Sequence, residues 1–590
     1  MTAGRLPVGR SRRSLALAAG VLAAALVVSG CVGLPDRGAV VTRDGSASEG
    51  TRRASDIDAR PPTSGESRQQ IVNGFLDAMT AWPIQTAVAK EYLSEEAAGE
   101  WNPEASTIVY ADFLPPQESG TTVKVQLTDA DLLDASGAWR GELPADEREL
   151  RFPMTIEDGE FRIAGPPDAL IVPASWFQQR FRQVALYYFD PAARILVPEP
   201  VFLPIGDQLA TTLVSALLSG PPMNLRGVVR TFLPAEVTVG LSVPVSDTGV
   251  ADVNLVGQGS PPAPEQVELM VAQLAWTLRQ DPGITAFRVR IAGQEVRLAN
   301  GESLYKVTSG SEYDPNGSGT SGLLYGLRAG RVVRGNPGDL SAVDGPLGAS
   351  GAGLRSAAVE PLAEEAAGVT ADGRSAVVAP IRLVPEGAEA TTVLAGATDL
   401  LRPTWDYAGR LWLLDRADGG AVVRCVEDGR VREVDVPGIT GERVRRLLVS
   451  RDGTRLLAVV RRAGGDEVVG ARVVVGRRET VTRVIAPFTV QPAVERQRVV
   501  DIAWSTPTRL GVLTPARPRS LFEVDLVPVD GAAIGVDAAT TIVSGRVLGL
   551  AGPGTDASPL FAVLPDGLVN VRTRESVQLG MRVAQLAYVG

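Results

Sequence analysis

Histidine is absent from all 590 residues of this chain. Its absence excludes acid–base catalysis by imidazole, the Ser-His-Asp and Cys-His nucleophile systems, and nearly all zinc and redox-metal sites. It also leaves no side chain whose ordinary pKa lies close to neutrality. The sequence therefore predicts a protein that is not an enzyme and that binds no metal and no cofactor.

Cysteine occurs only twice, at Cys31 and Cys425. Because Cys31 lies in a modification motif described below, no intrachain disulfide is expected, even in an oxidising compartment. Cys425 lies within a strand-like apolar run, 422–426. It is therefore predicted to be a buried small hydrophobic residue and not a reactive thiol.

Long apolar runs are missing after residue 30, where none approaches the roughly 18 residues that a membrane-spanning helix needs. Positive charge is also scarce. The formal net charge is −10, and removal of residues 1–30, which carry four arginines and no acid, would change it to −14. Since nucleic-acid binding needs concentrated positive charge, nucleic acid is not an expected partner.

The N-terminus combines its basic residues with an apolar run, 15–28, that is typical of an export signal. The tetrapeptide Val-Ser-Gly-Cys at 28–31 resembles a bacterial lipobox. That resemblance implies a signal peptide over 1–30 and a diacylglycerol on Cys31, the predicted lipidation site. Two acyl chains would hold the protein on the outer face of the cytoplasmic membrane. Arg12-Arg13 leaves both the Sec and the Tat export routes open.

Residues 31–66 are predicted to be a flexible tether, because they contain few large apolar residues. The first folded unit is predicted over 67–175. Ser67 and Gln70 fit a capping box, a second helix is expected over 86–100, and strands follow. This order resembles a nuclear-transport-factor-like α+β cone.

A second unit is predicted over 181–307, with strands around two amphipathic helices. Four phrases carry a resemblance to the GerMN domain of envelope and spore-germination lipoproteins: 186–189, 216–221, 231–234 and 272–278. That resemblance implies an α/β fold. Residues 308–322 are rich in Gly, Ser, Asn and Asp and are predicted to be a linker or exposed loop.

From 323 to 590 a loose repeat pairs a polar turn with a strand. Its copies are centred on Gly373, Gly409, Gly453, Thr508 and Ser558, at spacings of 36 to 55 residues. Such periods, with several short strands in each, predict an all-β propeller of about six blades, with five to seven allowed. A pair of β-sandwiches is the alternative. The chain is thus predicted to be multidomain.

The chain carries several clusters of acidic residues and one basic run that could form a site. The carboxylates fit solvated helix faces and loops better than a glycosidase pair, which needs two acids facing each other across a cleft. The basic run over 443–462 fits a blade surface better than a docking patch for an anionic envelope polymer. The acidic clusters comprise Glu95, Glu96, Asp129, Asp131, Asp134, Asp146, Glu147, Glu364 and Glu365.

Taken together, a lipobox, a small α+β unit, a GerMN-like unit and a propeller, in that order, resemble the LpqB family of actinobacterial lipoproteins. The resemblance implies an accessory regulator that contacts the extracytoplasmic domain of an MtrB-like sensor histidine kinase and influences envelope homeostasis and cell division. The alternative is a protein that binds or processes cell-wall glycan or peptidoglycan. A cell-wall polymer is therefore a second expected partner.

Overall fold

The N-terminal unit begins with a helix where the sequence predicts one. The computed structural model describes residues 59–590 except 207, 260–261, 383, 477–478, 518–519, 534–538 and 554–557. Helix α1 (Arg68–Ala78) starts at a capping box, in which Ser67 Oγ accepts the Gln70 N–H at 3.3 Å and Gln70 Oε1 accepts the Ser67 N–H at 2.8 Å. Its apolar face is buried.

The single helix predicted over 86–100 is wrong, because the structure contains two short helices, α2 (Ala87–Glu91) and α3 (Glu95–Glu100). Between them the backbone leaves the helix to bond with the neighbouring sheet. The Ser94 N–H donates to Ile163 O at 2.9 Å, and the Ile163 N–H donates to Tyr92 O at 3.0 Å. Ser94 Oγ then caps α3 by accepting the Ala97 N–H.

Seven strands complete this unit, in the order β6-β5-β3-β1-β7, with β2 and β4 both paired to β3. The β1–β7 pair is parallel and the others are antiparallel. A short helix, α4 (Ala174–Arg180), leads to the second unit. The strands are β1 (Ser106–Phe113), β2 (Gln117–Ser119), β3 (Thr122–Asp134), β4 (Trp139–Glu142), β5 (Glu149–Glu157), β6 (Glu160–Ile163) and β7 (Leu170–Pro173).

The second unit starts with a long hairpin, β8 (Phe181–Phe189) and β9 (Leu196–Pro204). Helix α5 (Leu209–Leu218) follows, but Asp207, which the sequence suggests as its cap, lies outside the described residues. A small sheet has the order β10-β11-β12-β13, with β14 paired to β12. Its elements are β10 (Val237–Val239), β11 (Val250–Gly257), α6 (Pro264–Leu278), β12 (Ala286–Ile291), β13 (Gln294–Glu295) and β14 (Tyr305–Lys306).

Helix α6 is the crossover of a βαβ motif, because it joins the parallel strands β11 and β12. It begins at Pro264, whose missing N–H costs nothing in the first helical turn. Residues 270–278 of this helix are all buried, with α5 and the β8–β9 hairpin among its neighbours. The core of the second unit therefore forms around α6.

The predicted linker, 308–322, is packed and not free. The Trp276 indole N–H donates to Gly310 O at 2.9 Å, and the Tyr407 hydroxyl donates to Ser318 O at 2.9 Å. Gly310 has φ of 75°, and a Cβ there would lie 2.4 Å from Ala272 Cβ. Only glycine allows the segment to pass this close to α6.

Six four-stranded antiparallel sheets follow, as expected for a propeller. The first three comprise β15 (Leu324–Arg328), β16 (Arg331–Asn336) and β17 (Asp339–Ala342) with β38 (Ala584–Ala587); β18 (Leu354–Val359), β19 (Glu365–Thr370), β20 (Ala376–Pro380) and β21 (Thr391–Leu394); and β22 (Thr404–Trp405), β23 (Leu411–Ala417), β24 (Gly420–Glu427) and β25 (Arg430–Val434).

The other three comprise β26 (Val444–Val449), β27 (Arg455–Arg461), β28 (Asp466–Val475) and β29 (Val481–Gln491); β30 (Asp501–Thr506), β31 (Arg509–Pro515), β32 (Leu521–Pro528) and β33 (Ala539–Ser544); and β34 (Gly549–Ala551), β35 (Phe561–Val563), β36 (Gly567–Asn570) and β37 (Ser576–Gln578). Strand β38 pairs with β15, so the end of the described chain completes the first sheet and closes the ring.

One copy of the predicted repeat is out of register with the others. The turns at Gly409, Gly453 and Thr508 each join the first strand of a sheet to its second, whereas the turn at Gly373 joins the second strand, β19, to the third, β20. Asp-Gly turns suit either position. The spacing of 36 residues between Gly373 and Gly409 therefore does not correspond to one sheet.

Candidate functional site

The predicted lipidation site, Cys31, lies outside the described residues. Cys425 is fully buried, as predicted, and burial raises its pKa, which disfavours the reactive thiolate. Within the described part of the chain, no group of three or more Cys, Asp or Glu residues is arranged to hold a metal ion.

The carboxylate clusters do not converge on a cleft. Glu95 and Glu96 are in the first turn of α3, where acids suit the helix dipole. Asp131 lies opposite Glu142 in the β3–β4 pair, and burial together with that carboxylate raises the pKa of Asp131 to about 6. Asp134 accepts N–H groups of its own turn, so its role is local.

The structure separates the arginines of the basic run by environment. Arg443 and Arg445 are exposed, whereas Arg455 is fully buried. The remaining ones pair with carboxylates or point toward the propeller axis. Arg446 pairs with Asp501, Arg461 with Asp466, and Arg462 with Glu442 and Glu467, while Arg451 lines an axial cavity. The run is thus neither one blade surface nor one docking patch.

The buried arginine belongs to a contact between the β8–β9 hairpin and the fourth propeller sheet, which we call the seam. Glu199, in the middle of β9, accepts Arg455 Nη2 at 2.7 Å through Oε2. It also accepts Arg472 Nη2 at 2.8 Å through Oε1 and at 2.9 Å through Oε2. One carboxylate therefore joins two strands of the sheet, β27 and β28, to the second unit.

The seam charges are balanced. Asp452 lies 3.4 Å from Arg455 Nη1, so two guanidinium groups face two carboxylates. Glu199, Arg455, Arg472 and Asp452 are each at most 5% exposed. Because charges so deeply buried are costly unless paired, removal of one member should cost about 3–5 kcal/mol. The arrangement of the two units is accordingly held by a mutually dependent cluster.

A second polar contact flanks this cluster. Gln183 Nε2, from β8, donates to Asp530 Oδ2 at 3.0 Å, and the Ala532 N–H donates to Asp530 Oδ1 at 3.2 Å. Burial raises the pKa of Asp530 to about 7, and the negative charge of Glu199 adds to that increase. At the other end of the hairpin, Arg194 pairs with Glu479 at 2.9 Å in an exposed position.

The hairpin also contacts the N-terminal unit. The Phe202 N–H donates to Gly137 O at 2.8 Å, and the rings of Trp139 and Phe202 have centroids 6.0 Å apart. The Phe177 ring also packs against the Phe202 ring, with centroids 5.3 Å apart. The β8–β9 hairpin of the second unit therefore contacts both the N-terminal unit and the propeller.

Sequence reasoning missed Glu199, although a signal was present. Strand β9 is apolar throughout except for this residue, which stands between Pro198 and Pro200. A lone acid inside an apolar strand needs a buried partner. That argument identifies the residue but not its partners, because Arg455 and Arg472 lie more than 250 positions away.

A surface groove of about 470 Å³ lies between the third and fourth sheets. Arg416, Arg443, Arg445 and Arg461 line it, together with Asp418 and Glu442. Arg416 and Arg461 are paired with Asp399 and Asp466. The groove therefore presents a positive surface that depends mainly on Arg443 and Arg445.

None of the helices in the described ranges is long and apolar enough to cross a membrane. The family model described as "Lipoprotein LpqB, N-terminal domain" matches residues 61–178, and "Lipoprotein LpqB beta-propeller domain" matches 330–549. A third model, "Sporulation and spore germination", matches 185–297. These matches bear out the GerMN-like unit and the propeller, and they follow the order of the three units.

Proteins named Lipoprotein LpqB match over almost the full length. The protein of Thermobifida fusca is 28% identical over 93% of this chain and 94% of its own length. That of Streptomyces avermitilis is 28% identical over 97% of this chain and 98% of its own length. Among solved structures, the tandem GerMN domains of GerM from Bacillus subtilis are 25% identical, with a TM-score of 0.18, over 21% of this chain and 44% of that one. The chain belongs to the LpqB lipoprotein family.

Proposed function

We propose that this chain is a lipid-anchored, non-catalytic regulator on the outer face of the cytoplasmic membrane, which binds the extracytoplasmic domain of a sensor histidine kinase of the MtrB kind and thereby influences envelope homeostasis and cell division. Its family membership and the lipobox at Cys31 support the anchor. The kinase partner follows from the resemblance to the family and from no contact in the structure.

The seam is the observation that carries the proposal. Because Glu199 is held by Arg455 and Arg472, the second unit and the propeller present their surfaces in a fixed relation. A rigid platform loses little entropy when it binds a partner. Confinement near the membrane raises the effective concentration of that platform next to a membrane kinase, so weak contacts suffice.

Binding alone does not regulate. The platform must have different affinities for the two signalling states of the kinase, since equal affinity would leave their populations unchanged. We therefore expect the protein to change the phosphorylation level of the kinase and not only to co-purify with it.

The anchor is tested with Cys31→Ala, which is exported but cannot carry the lipid. We expect kinase output to shift toward that of a strain lacking the protein. A matched control restores the anchor by a different route, with an uncleaved transmembrane helix replacing residues 1–31, and should recover normal output. Full output from the unanchored Cys31→Ala protein would refute the tethering part of the proposal.

The groove beside the third sheet favours a second candidate function, binding of an anionic cell-wall polymer. Arg443 and Arg445 are exposed there, and exposed arginines attract polyanions in a salt-dependent way. Sedimentation of the purified chain with cell-wall fragments tests this function. Double substitution to glutamine should abolish pelleting, and an equal loss with Arg509→Gln and Arg572→Gln would indicate non-specific attraction.

A further inference from the structure

The first strands of the third to sixth sheets, together with the end of β38, line a partly open cavity of about 70 Å³ near the propeller axis. The walls come from at least four sheets, and Pro315 and Asn316 of the packed segment 308–322 contribute to the lining. At roughly 10–15 Å³ for each water position, the space holds about five waters or one small molecule. We call it the axial cavity. Its distinctive lining residues are Arg402, Trp405, Arg446, Arg451, Trp504 and Tyr588.

Positive charge exceeds negative charge in this lining. Arg446 pairs with Asp501 at 3.0 Å. Within the described ranges, neither Arg402 nor Arg451 has a carboxylate within ion-pair distance, although the more distant Glu360 and Asp314 both act on Arg451. Burial and the neighbouring Arg446 lower the pKa of Arg402 to about 9, and burial lowers the pKa of Arg451 to about 10. Both remain protonated at neutral pH.

The acidic side chain in the lining, Asp452, does not offset this excess. Asp452 accepts hydrogen bonds from Ser450 Oγ and the Thr454 N–H and faces Arg455 of the seam. Glu360 is occupied by the N–H groups of Leu362 and Glu364. Among the described side chains, Arg402 and Arg451 therefore have no carboxylate within ion-pair distance, although Gly590 also lines the cavity beside Arg451.

Three donors at the cavity also have no hydrogen-bond acceptor among the described residues, and one of them, Arg446 Nε, is in ion-pair contact with Asp501. Arg451 Nη2 donates to Val589 O at 3.3 Å, but its Nη1 has no partner there. The Trp405 indole N–H likewise has none, although Trp405 is only 5% exposed. Trp504 differs, because its N–H is satisfied by Val449 O at 2.8 Å. Buried donors without acceptors are costly, so a ligand oxygen at this position would stabilise the structure.

From this combination of space, surplus positive charge and unused donors, we infer that the axial cavity is a binding site for a small oxyanion, a carboxylate or phosphate compound of a few non-hydrogen atoms, held by Arg451 and the Trp405 indole. Arg402 and Arg446 supply the surrounding field. Such a compound neutralises the excess charge and accepts hydrogen bonds from Arg451 Nη1 and the Trp405 indole N–H. The inference goes beyond the proposed function, because it does not depend on a kinase partner.

The site is connected to the seam through one turn. Arg451 and Asp452 are consecutive in the turn between β26 and β27, and Asp452 faces Arg455. A ligand that holds Arg451 therefore also orders the turn that supports the seam. This connection provides a second readout, since ligand binding should raise the resistance of the whole molecule to unfolding.

The test is calorimetric titration of the purified full chain with inorganic phosphate and, separately, with succinate, with neutral succinamide as the uncharged comparison. We expect saturable binding of at least one anion at millimolar affinity or tighter and none of succinamide. The arm that binds more tightly tells a phosphate site from a carboxylate site. Absence of saturable binding of both anions would overturn the inference.

Substitutions locate the site. Arg451→Gln should weaken binding at least about tenfold, as expected for loss of a charged hydrogen bond. Trp405→Phe keeps the ring but removes the donor and should weaken binding severalfold. The matched control is Arg483→Gln, an exposed arginine of β29 that lines neither the axial cavity nor the groove and should bind like the parent. Unchanged affinity in both Arg451→Gln and Trp405→Phe would overturn the assignment.

Discussion

The seam and the axial cavity both bury arginines, and Arg455 of the seam lies only a few residues from Arg451 of the cavity. The two regions differ in the carboxylates that balance the arginine charge. In the seam, Arg455 and Arg472 face Glu199 and Asp452, so the charges balance. In the axial cavity, Arg446 pairs with Asp501, but neither Arg402 nor Arg451 has a carboxylate within ion-pair distance among the described residues, and Asp452 of the lining faces Arg455. The buried charges of the seam are thus balanced, whereas those of the cavity are not.

Hydrogen-bond satisfaction does not separate the two regions. Arg455 and Arg472 also leave buried N–H groups without an acceptor in the described structure, as Arg451 does. What differs is the charge balance and the presence of open space beside the group. A buried guanidinium with matched carboxylates holds parts of the fold together, whereas one with surplus charge beside a cavity indicates a ligand.

The largest effect should follow from breaking the seam with Glu199→Gln. This change leaves Arg455 and Arg472 buried with one carboxylate, Asp452, between them. We expect the free energy of unfolding to fall by about 3–5 kcal/mol. Urea unfolding followed by tryptophan fluorescence measures it.

The control for that experiment is another acid of the same interface. Glu479 pairs with Arg194, but both side chains are about half exposed, at 54% and 49%. Glu479→Gln should therefore cost no more than about 1 kcal/mol. Equal losses from the two substitutions would mean that burial of the seam charges does not matter.

The sequence predicts the order of units and the strand-rich C-terminal half, because those features are recorded in local patterns such as the capping box at Ser67 and the Asp-Gly turns. It does not predict the seam or the axial cavity. Both depend on residues far apart in the chain, for instance Glu199 with Arg472, which are 273 positions apart. The helix predicted over 86–100 failed for a similar reason, since its interruption is a bond to Ile163.

A smaller effect is expected from Asp501→Asn, which removes the carboxylate that pairs with Arg446 of the axial cavity. Asp501 pairs with Arg446 and accepts the Leu550 N–H at 2.9 Å. We expect a loss of about 1.5–3 kcal/mol in unfolding free energy and tighter anion binding, because the excess positive charge increases. Asp525→Asn, at a more exposed site, serves as control. Weaker anion binding in Asp501→Asn would contradict the charge argument.

Asp530 tests whether the seam tolerates an acid without a cation. Its carboxyl contacts Gln183 and the Ala532 N–H, and no ion pair to it occurs in the described structure. Because its pKa is raised from 3.8 to about 7, folding favours the protonated form. Its contribution to stability is therefore greatest below about pH 4 and is lost as pH rises through about 7.

Replacement by asparagine removes that titration. The difference in urea midpoint between Asp530→Asn and the parent should change between pH 5 and pH 8, in favour of the variant at the higher pH. The corresponding difference in unfolding free energy cannot change by more than about 1.4 kcal/mol per pH unit, the limit for one proton. A difference that is constant over this range would show that Asp530 does not titrate there.

The smallest effect on stability should come from Arg451→Gln, and its contrast with Arg455→Gln is the sharpest test of the comparison. Arg455 has paired carboxylates, so its replacement should cost about as much as Glu199→Gln. The pKa of Arg451 is lowered to about 10, which means that the buried charge opposes folding at neutral pH. Its removal should change the unfolding free energy by less than about 1 kcal/mol, or raise it. In 50 mM phosphate or succinate the parent should become more stable than the Arg451→Gln chain, because only the parent gains stability from the bound anion. If Arg451→Gln and Arg455→Gln lower the unfolding free energy equally in the absence of anion, the distinction between a structural charge and a ligand-binding charge fails.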